Sequence, residues 1–359
     1  MTPPDVDVII PVHTRTRPVL RAVRSVLDAT DADVRVTVIA HNISREAIIG
    51  NLEPVVEDPR LRVLHLEDRI PSPSGPMNLG LDRATAPFVS FLGSDDELAP
   101  GAIDSWLTIA RETGASTVMA RIDRLESGTD RYPPVRAGRT KNLHPAKDRL
   151  AYRSAPLGLI SRSHHPDLRF TPNLHSGEDL EFTAVLWFTG RRVAYAATGP
   201  GYIGHEDEHD RVTHVARSVT DDFAFLDTTI DAPWFPRLPR NQRVAFGVKV
   251  LRLHLFDAIY HRLQGPGGII SHQNEIDAVI RRIDLAAPGS VALLARVERR
   301  IIDEVRSSAP DADRIRQLLA ARWEGGPLGT LVTRNPLLSL HAQGPYRTLR
   351  ATVAPSRDS

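Results

Sequence analysis

The sequence predicts an α/β protein in which a Rossmann-like, mainly parallel sheet is flanked by helices and followed by an all-helical C-terminal module. Three observations support this prediction. Short apolar runs alternate with amphipathic stretches, polar residues follow the ends of several runs, and the alternation stops near residue 219. Strands and helices that alternate at this spacing indicate parallel strands joined by right-handed crossovers.

The first four strands and the helices between them follow from hydrophobic periodicity. A β-branched apolar run that ends in polar residues is typical of a buried parallel strand, and apolar residues three and four apart indicate a helix. Ser44 precedes one predicted helix and is a good helix cap. The predicted strands are Val6–Val12, Val34–Ala40, Leu61–Leu66 and Phe88–Leu92. The predicted helices are 19–27, 45–51 and 102–113, and Asn78–Ala84 is predicted to be the end of a further short helix.

The remaining elements complete the sheet and begin the helical module. Ser116–Arg121, Leu157–Ser161 and Arg191–Ala197 are predicted strands, and the apolar positions from Leu180 to Phe188 predict a helix that starts near Asp179. Four amphipathic helices are predicted after residue 219. Their ranges are Arg243–Arg262, Glu275–Leu285, Val291–Val305 and Asp313–Trp323.

These elements divide the chain into three predicted regions: an α/β domain over 1–218, the helical module over 219–334, and a loosely ordered tail over 335–359. The helical module is locally basic. Two interpretations stay open for its arginines, a solvated helix face and a contact with an anionic lipid or polymer. Homo-oligomerisation through these helices is a further hypothesis. The arginines are Arg281, Arg282, Arg296, Arg299 and Arg300.

Composition excludes several classes of protein. The 359 residues carry a net charge of +1, so no overall field favours nucleic acid. Cysteine is absent, which excludes disulfides and thiolate metal sites. Neither a signal-peptide pattern nor an apolar run of about 18 residues is found. We therefore expect a cytoplasmic protein, with peripheral contact at the inner face of the membrane as an option.

Two adjacent carboxylates, Asp95 and Asp96, follow the fourth predicted strand. In open α/β sheets the carboxyl ends of the strands border the ligand crevice, where His13 and His41 also emerge. Paired carboxylates in a crevice suit a divalent cation that also binds phosphates. An acidic turn that caps the next helix is the alternative, and the motif alone does not decide between them.

Four short motifs, in order, resemble the signature of the family 2 glycosyltransferases, which have the GT-A fold. The likeness covers roughly residues 5 to 215. The motifs are Val8-Ile9-Ile10-Pro11-Val12, Asn78-Leu79-Gly80, Phe91-Leu92-Gly93-Ser94-Asp95-Asp96 and Gly177-Glu178-Asp179.

The resemblance implies a role for each acidic residue. Asp96 would ligate Mn²⁺ or Mg²⁺, Asp95 would contact the donor ribose or the waters of the ion, and Asp179 would be the catalytic base. Glu178 and Gly177 would orient the acceptor or the loop. The predicted donor-binding residues are Pro11, Val12, His13, Arg15, His41, Asn42, Asn78, Ser94 and Asp95.

Several of these positions keep a second interpretation. Asp179 could instead be a helix N-cap, since an aspartate at the start of a helix is favoured both by capping and by the helix dipole. His205 and His209 suit Mn²⁺ as additional ligands, and Arg211 suits a phosphate, but a surface histidine among acidic residues is the commoner case.

The chain also departs from the family pattern. Ala40-His41 replaces an Asp pair that commonly follows the second strand, Met77 replaces an arginine before the Asn-x-Gly motif, and Gly93 replaces the first Asp of the acidic cluster. In the family one residue of that Asp pair reads the nucleobase, so the resemblance supports uridine specificity less strongly, although His41 or Asn42 could hydrogen-bond a base. The carboxylates nearest the chemistry are kept, which favours an active enzyme with an altered donor pocket.

The predicted function is that of a metal-dependent inverting glycosyltransferase. It would move a sugar from a nucleotide-diphospho-sugar, with UDP as the favoured nucleotide, to a hydroxyl of a polysaccharide, glycolipid or metabolite. Two alternatives are a nucleotidyltransferase and a non-catalytic sugar- or nucleotide-binding module. The segment His13–Pro18 lacks glycine, which counts against the nucleotidyltransferase.

Overall fold

The computed structural model describes residues 3–206, 217–265, 267–324 and 327–353. The strands and helices of these ranges follow in chain order. The strands are β1 (Val6–Val12), β2 (Val34–His41), β3 (Leu61–Leu66), β4 (Phe88–Phe91), β5 (Glu97–Leu98), β6 (Thr117–Ala120), β7 (Ile122–Arg124), β8 (Gly128–Thr129), β9 (Gly158–Ser161), β10 (Val193–Ala196) and β11 (Tyr202–Gly204). The helices are α1 (Val19–Leu27), α2 (Arg45–Asn51), α3 (Ser74–Arg83), α4 (Ala102–Thr113), α5 (Glu178–Thr189), α6 (Val219–Asp222), α7 (Phe225–Ile230), α8 (Arg240–Val250), α9 (Phe256–Gln264), α10 (Gln273–Ala286), α11 (Arg296–Val305), α12 (Ala312–Glu324), α13 (Pro327–Thr330) and α14 (Pro345–Val353).

The predicted α/β fold is confirmed. Seven strands form one sheet in the order β10-β6-β9-β4-β1-β2-β3. The pairs β1–β2, β2–β3, β1–β4 and β6–β10 are parallel, and only β9 runs antiparallel to its neighbours β4 and β6. The strands are mainly apolar because helices cover both faces of the sheet.

A second, four-stranded sheet was not predicted. It has the order β5-β11-β7-β8, and its strands are only two or three residues long. Segments this short carry no readable alternation, which is why the sequence did not reveal them. The sheet is nevertheless important, because β11 runs back beside the acidic segment that follows β4.

The glycine of the Asn-x-Gly motif has a packing role. A Cβ atom on Gly80 of α3 would lie 2.5 Å from Cγ2 of Ile9 in β1. Only a residue without a side chain lets α3 pack this closely on the central strand.

The helical region is built on the α/β domain and shares an apolar core with it. Leu180, Ala184 and Phe188 of α5 belong to the same buried cluster as residues of α7 to α12. Helices α8 and α9 continue into each other through a π-helical segment, Leu251–Leu255. The predicted boundary at residue 219 stays a prediction.

Two predictions in this region need correction. The helix predicted over Val291–Val305 is divided into a 3₁₀ turn, Val291–Leu293, and α11, because the Glu298 carboxylate accepts a hydrogen bond from Ala295 N at 2.8 Å and starts a new helix there. The tail predicted to be loosely ordered from residue 335 instead forms a 3₁₀ turn, Pro336–Leu340, and α14. It is held by the buried side chain of Gln343, which donates to the carbonyl oxygen of Ala146 at 2.5 Å.

Several arginines of the basic helical face are paired with aspartates. Arg281 contacts Asp277 at 2.9 Å, and Arg282 contacts Asp231 at 2.6 Å and also pairs with Asp227. These pairs favour the interpretation as a solvated, charge-balanced face. None of the helices in the described ranges combines the length and the apolar character that a membrane-spanning segment requires.

Candidate active site

The acidic segment after β4 is held by the first helix. Arg17, which is buried just before α1, forms an ion pair with the Asp95 carboxylate, and Arg21 of α1 donates to the Asp95 carbonyl oxygen. Neither arginine was singled out in the sequence. Both fix the position of Asp95 and offset its negative charge.

The second carboxylate is held by the small sheet. Asp96 accepts a hydrogen bond from the Tyr202 hydroxyl at 2.5 Å and another from His205 N at 2.9 Å. Burial raises the pKa of the Asp96 carboxyl, although both hydrogen bonds stabilise its ionised form. Burial also raises the pKa of the Tyr202 hydroxyl, which therefore stays a hydrogen-bond donor.

Gly93 is the point on which both carboxylates converge. A Cβ atom there would lie 2.6 Å from Asp96 Oδ2, 3.1 Å from Asp95 Oδ1 and 3.1 Å from the Tyr202 hydroxyl oxygen. The family's acidic residue at this position would therefore collide with the two aspartates that follow it. The departure at Gly93 is explained by the way this chain folds its acidic turn.

The donor set of Asp95 and Asp96 fits a hard divalent cation. Mg²⁺ is commonly bound through one or two carboxylates, with its other ligands supplied by phosphates and water. No group of three or more acidic or histidine side chains in the described ranges is arranged to hold a metal ion.

His205 lies beside this pair but faces another residue. Its Nε2 atom is 2.7 Å from the Glu97 carboxylate, and its backbone amide binds Asp96. The predicted metal role of His205 stays a prediction. His209 and Arg211 lie outside the described residues.

At the end of β2, His41 and Asn42 hold the loop that follows β3. His41 Nε2 lies 2.8 Å from Asp68 Oδ1, and the Asn42 side chain accepts from the backbone amides of Asp68 and Arg69 at 3.0 and 2.9 Å. Asn42 has a left-handed backbone, with φ of 57°. Asp68 was missed by the sequence analysis, and it brings a carboxylate to the side of the sheet where the family's base-reading Asp pair is absent.

The Asp68 carboxyl stays ionised. Burial acts to raise its pKa, but hydrogen bonds from Ile70 N, His41 and Asn42 outweigh burial and lower it. Because a carboxylate is a hydrogen-bond acceptor, this corner of the site suits a partner with N–H groups.

The other predicted donor residues fall into two groups. The first group lies near the carboxyl ends of strands. Pro11 and Val12 are the last residues of β1, and the exposed His13 and Arg15 follow them. Ser94 is buried in the acidic turn after β4. Asn78 instead has a structural contact: its amide donates to the carbonyl oxygen of Phe170 at 2.9 Å and accepts from Phe170 N at 2.8 Å. This pair of bonds ties the loop before α5 to α3.

An aromatic cluster joins the end of β4 to the start of α5. The rings of Phe91 and Phe170 are 5.0 Å apart, and Phe182 lies 5.9 Å from Phe91 and 4.2 Å from Phe170. Phe91 ends β4 just before Gly93, and Phe182 is one turn after Asp179. The core therefore packs the first turns of α5 against the strand that carries the acidic pair.

Asp179 lies inside the first turn of α5. Gly177, with φ of 79°, occupies the N-cap position, so Asp179 is not the cap that the alternative interpretation requires. Burial is the main cause that raises the pKa of Asp179 to about 7, and the negative charge of the neighbouring Glu178 adds to this shift. The positive charge of Lys249 opposes it. A carboxyl group with this pKa exchanges a proton readily at neutral pH.

Lys249, which acts electrostatically on Asp179, and its partner His254 were missed in the sequence. Lys249 is buried in α8, and its ammonium group lies 2.7 Å from Nε2 of His254. A lysine inside the apolar run Val248-Lys249-Val250-Leu251 was the available signal, because lysine is rarely buried without a partner.

A cavity of about 1040 Å³ lies in the helical region, away from these residues. It is lined by parts of α10 and α11 and includes Arg281, Arg299, Arg306 and Arg334. None of the predicted site residues lines it.

Comparisons with known proteins indicate the family of the α/β domain. The profile of the family described as "Glycosyl transferase family 2" matches residues 7–168. The chain is 31% identical over 111 residues to the GalNAc(5)-diNAcBac-PP-undecaprenol beta-1,3-glucosyltransferase of Campylobacter jejuni, covering 30% of this chain and 35% of that protein. It is 27% identical over 241 residues to the succinoglycan biosynthesis protein ExoO of Rhizobium meliloti, covering 62% of this chain and 68% of that protein.

The solved structures add a likeness in fold. The structure of S. aureus TarS 1-349 in complex with UDP-GlcNAc superposes with a TM-score of 0.72 at 17% identity, covering 89% of this chain and 92% of that chain. The chain spans about a third of the Campylobacter protein and about two thirds of ExoO. The family profile over residues 7–168 and the likeness in fold agree, and this part of the chain is therefore a family 2 glycosyltransferase domain of the GT-A fold.

Proposed function

We propose that this protein transfers a sugar, with inversion, from a nucleotide-diphospho-sugar to a hydroxyl group, using Asp179 as the base. The observation that carries the proposal is the Asp179 carboxyl, placed in the first turn of α5 with its pKa raised to about 7 by burial. A general base works best when its pKa is near the working pH.

The reaction would proceed in a single displacement. The acceptor oxygen bonds to the anomeric carbon while its proton passes to Asp179. The bond from the anomeric carbon to the diphosphate oxygen breaks, and the nucleoside diphosphate leaves with the electron pair. Because the acceptor attacks from the face opposite the leaving group, the anomeric configuration inverts.

Asp95 and Asp96 would hold Mn²⁺ or Mg²⁺ next to the diphosphate. Such an ion, when bound, neutralises the charge that grows on the leaving oxygen. Arg17 and Arg21 support this role, since they fix Asp95 from α1. Tyr202 and His205 N do the same for Asp96 from β11 and the residues after it.

A UDP-sugar is the donor we propose. The TarS structure of the same fold was solved with UDP-GlcNAc. The ionised Asp68, positioned by His41 and Asn42, would accept a hydrogen bond from a base N–H such as that of uracil. For the acceptor we propose a polysaccharide or a lipid-linked glycan, since the named relatives act on a PP-undecaprenol-linked glycan and in succinoglycan biosynthesis. A lipid-linked acceptor would be reached from the membrane surface.

Calorimetry and product analysis test this function. A panel of sugar nucleotides is titrated into the protein with Mn²⁺, with Mg²⁺ and with chelator, and NMR identifies the anomeric configuration of any product. We expect one nucleotide sugar to bind only with metal and the product to be inverted. A retained configuration, or no metal-dependent binding across the panel, would contradict the proposal.

The pH dependence of turnover follows from the base. Below pH 7 Asp179 is protonated and cannot accept the acceptor's proton, so kcat should fall as the pH drops. We expect an acid limb centred near pH 7 and an activity at pH 8 several times that at pH 6. A profile that is flat from pH 5.5 to 8 would show that Asp179 is not the base.

The substitution Gly93→Ala tests the acidic turn. The added methyl group would lie 2.6 Å from Asp96 and 3.1 Å from Asp95, so both carboxylates must move. We expect metal-dependent donor affinity to fall at least about tenfold, with a loss of about 1–3 kcal/mol in the free energy of unfolding.

Gly50→Ala is the matched control for this change. A Cβ atom on Gly50 of α2 has nothing within 4 Å, so donor affinity should stay the same. Equal donor affinity in Gly93→Ala and the wild type would show that Asp95 and Asp96 do not take part in donor binding.

A further inference from the structure

We propose that Lys249 is a positioning residue for Asp179, supplying the buried positive charge that keeps this carboxylate ionised and ready to accept a proton. The inference rests on the proposed function, because it concerns the same base. It extends the site from the α/β domain into the helical region.

The first argument is the burial of Lys249. Its side chain is 2% exposed and ranks among the largest fully buried side chains of the described residues. Burial of an ammonium group costs several kcal/mol unless a nearby group compensates for it. A lysine kept in such a position needs an electrostatic partner, and an apolar residue would serve packing better.

The second argument is the way Lys249 is held. In the described part of the chain its ammonium is bonded to His254 Nε2 at 2.7 Å. Burial lowers the pKa of His254 well below its usual value, and the positive charge of Lys249 adds to this effect. The ring is therefore neutral and accepts the hydrogen bond. The same ring packs 5.2 Å from the ring of Phe225, which fixes its orientation.

The helix geometry makes this contact possible. In a regular α-helix, residues five positions apart point about 140° away from each other. The π-helical segment Leu251–Leu255 begins two residues after Lys249 and includes His254. Its wider turn places residues five positions apart on nearly the same side of the helix. Single π turns inside α-helices are frequent at functional sites.

The third argument is a chain of packing contacts from Lys249 to the base. His254 packs on Phe225 of α7, and Phe225 lies 3.2 Å from the position of a Cβ atom on Gly177, two residues before Asp179. Leu180, Phe225 and Val250 share one buried cluster. Lys249 and Asp179 are thus connected through packed residues of α5, α7 and α8.

The electrostatics agree with this geometry. Burial lowers the pKa of Lys249 while the negative charge of Asp179 acts to raise it, and the positive charge of Lys249 acts to lower the pKa of Asp179. Each group therefore favours the charged form of the other. Other charged groups face the pair as well. Glu178 adds negative charge beside Asp179, Arg217 offsets Glu178, and Asp222 pairs with Arg217 at 4.0 Å and with Arg262 at 2.6 Å. Lys249 is the positive group among them that acts on Asp179 itself.

The test compares Lys249→Met with the wild type by two readouts. The first is the pH profile of kcat. The second is the titration of the ¹³C-labelled Asp179 carboxyl by NMR without substrate, with its signal identified by its absence in Asp179→Asn. Removing an opposite charge raises a carboxyl pKa by about one unit or more. We therefore expect the midpoint of the kcat profile and the midpoint of the Asp179 titration each to rise by about one pH unit. At pH 7 kcat should fall several-fold, and it should recover at high pH.

Two further variants separate charge from packing. Lys249→Arg keeps the positive charge, so the midpoints of the Asp179 titration and of the kcat profile should equal the wild-type values. Lys141→Met removes an exposed lysine that pairs with Glu112 at the surface, and it should leave both readouts unchanged.

His254→Phe serves if Lys249→Met does not fold. It keeps the ring contact with Phe225 but removes the acceptor that stabilises the ammonium. A smaller upward shift of the Asp179 midpoint is expected, and an unchanged midpoint in this variant overturns the proposal.

The outcomes also distinguish this proposal from the proposed function. An active wild type, an inactive Asp179→Asn and a Lys249→Met midpoint equal to that of the wild type overturn the role of Lys249 alone. A wild type that transfers no sugar, with a midpoint that still moves in Lys249→Met, refutes the proposed function but supports the electrostatic role of Lys249.

Discussion

Asp179→Asn should reduce kcat by about 10²–10⁴-fold while the Kd of the donor stays within about twofold of the wild-type value. The amide has nearly the same shape as the carboxylate but cannot accept the acceptor's proton. Its effect should therefore fall on turnover alone. Initial rates at saturating donor, together with calorimetry of donor binding, measure the two quantities separately.

The control for this variant is Glu181→Gln in the same helix. Glu181 accepts a hydrogen bond from the Thr171 hydroxyl at 3.0 Å, a contact that an amide oxygen can replace. Its turnover should change by less than about threefold. If Asp179→Asn loses donor affinity as strongly as turnover, Asp179 belongs to the structure of the site and another group is the base.

Arg252→Met should cost about 3–5 kcal/mol in the free energy of unfolding, because it breaks a buried charge network. Arg252 is 7% exposed. It donates to the carbonyl oxygens of Leu293 and Gln343 at 3.0 Å each and to the Tyr152 hydroxyl at 3.1 Å, and it pairs with Glu298 at 3.4 Å. Among the described residues, its loss leaves the buried Glu298 with Arg322, at 3.3 Å, as its positively charged partner.

Arg252 also joins three parts of the chain. Tyr152 belongs to the α/β domain, Glu298 to α11, and Gln343 to the C-terminal segment. The residue lies three positions after Lys249, so loosening the network should also reduce turnover. Denaturant unfolding gives the stability change, and the rate at pH 8 gives the functional one.

Arg282→Met is the matched control at the surface. Arg282 pairs with Asp227 and Asp231, but all three side chains are exposed, and exposed pairs contribute about 1 kcal/mol or less. Equal losses in Arg252→Met and Arg282→Met would show that the Arg252 network does not stabilise the fold.

The elements with strong periodicity were predicted well. The run Val6–Val12 and the helix 102–113 were found with the bounds that the structure shows, because each buries a regular apolar pattern. The helix over Arg243–Arg262 was found, but its π-helical segment was not. An insertion of this kind leaves the apolar stripe nearly intact and shows only in the backbone hydrogen bonds.

The candidate site was predicted in part for a related reason. Asp95, Asp96 and Asp179 stand at strand and helix ends, where position alone indicates a crevice. Their partners are far away in sequence: Arg17 precedes α1, Tyr202 lies in β11, and Lys249 lies in α8. Pairings between distant segments depend on how the sheets and helices pack, which periodicity does not specify.

The sequence by itself determined the class of the fold and the acidic groups that it carries, because burial of apolar strands and helices fixes a repeating pattern along the chain. The tertiary structure alone decided the charge state of those groups and what holds them. Burial raised the pKa of Asp179 to about 7, and Lys249 was brought within its electrostatic reach. The pKa of a carboxyl group depends on its surrounding atoms in space, and neighbours along the chain supply only a few of them.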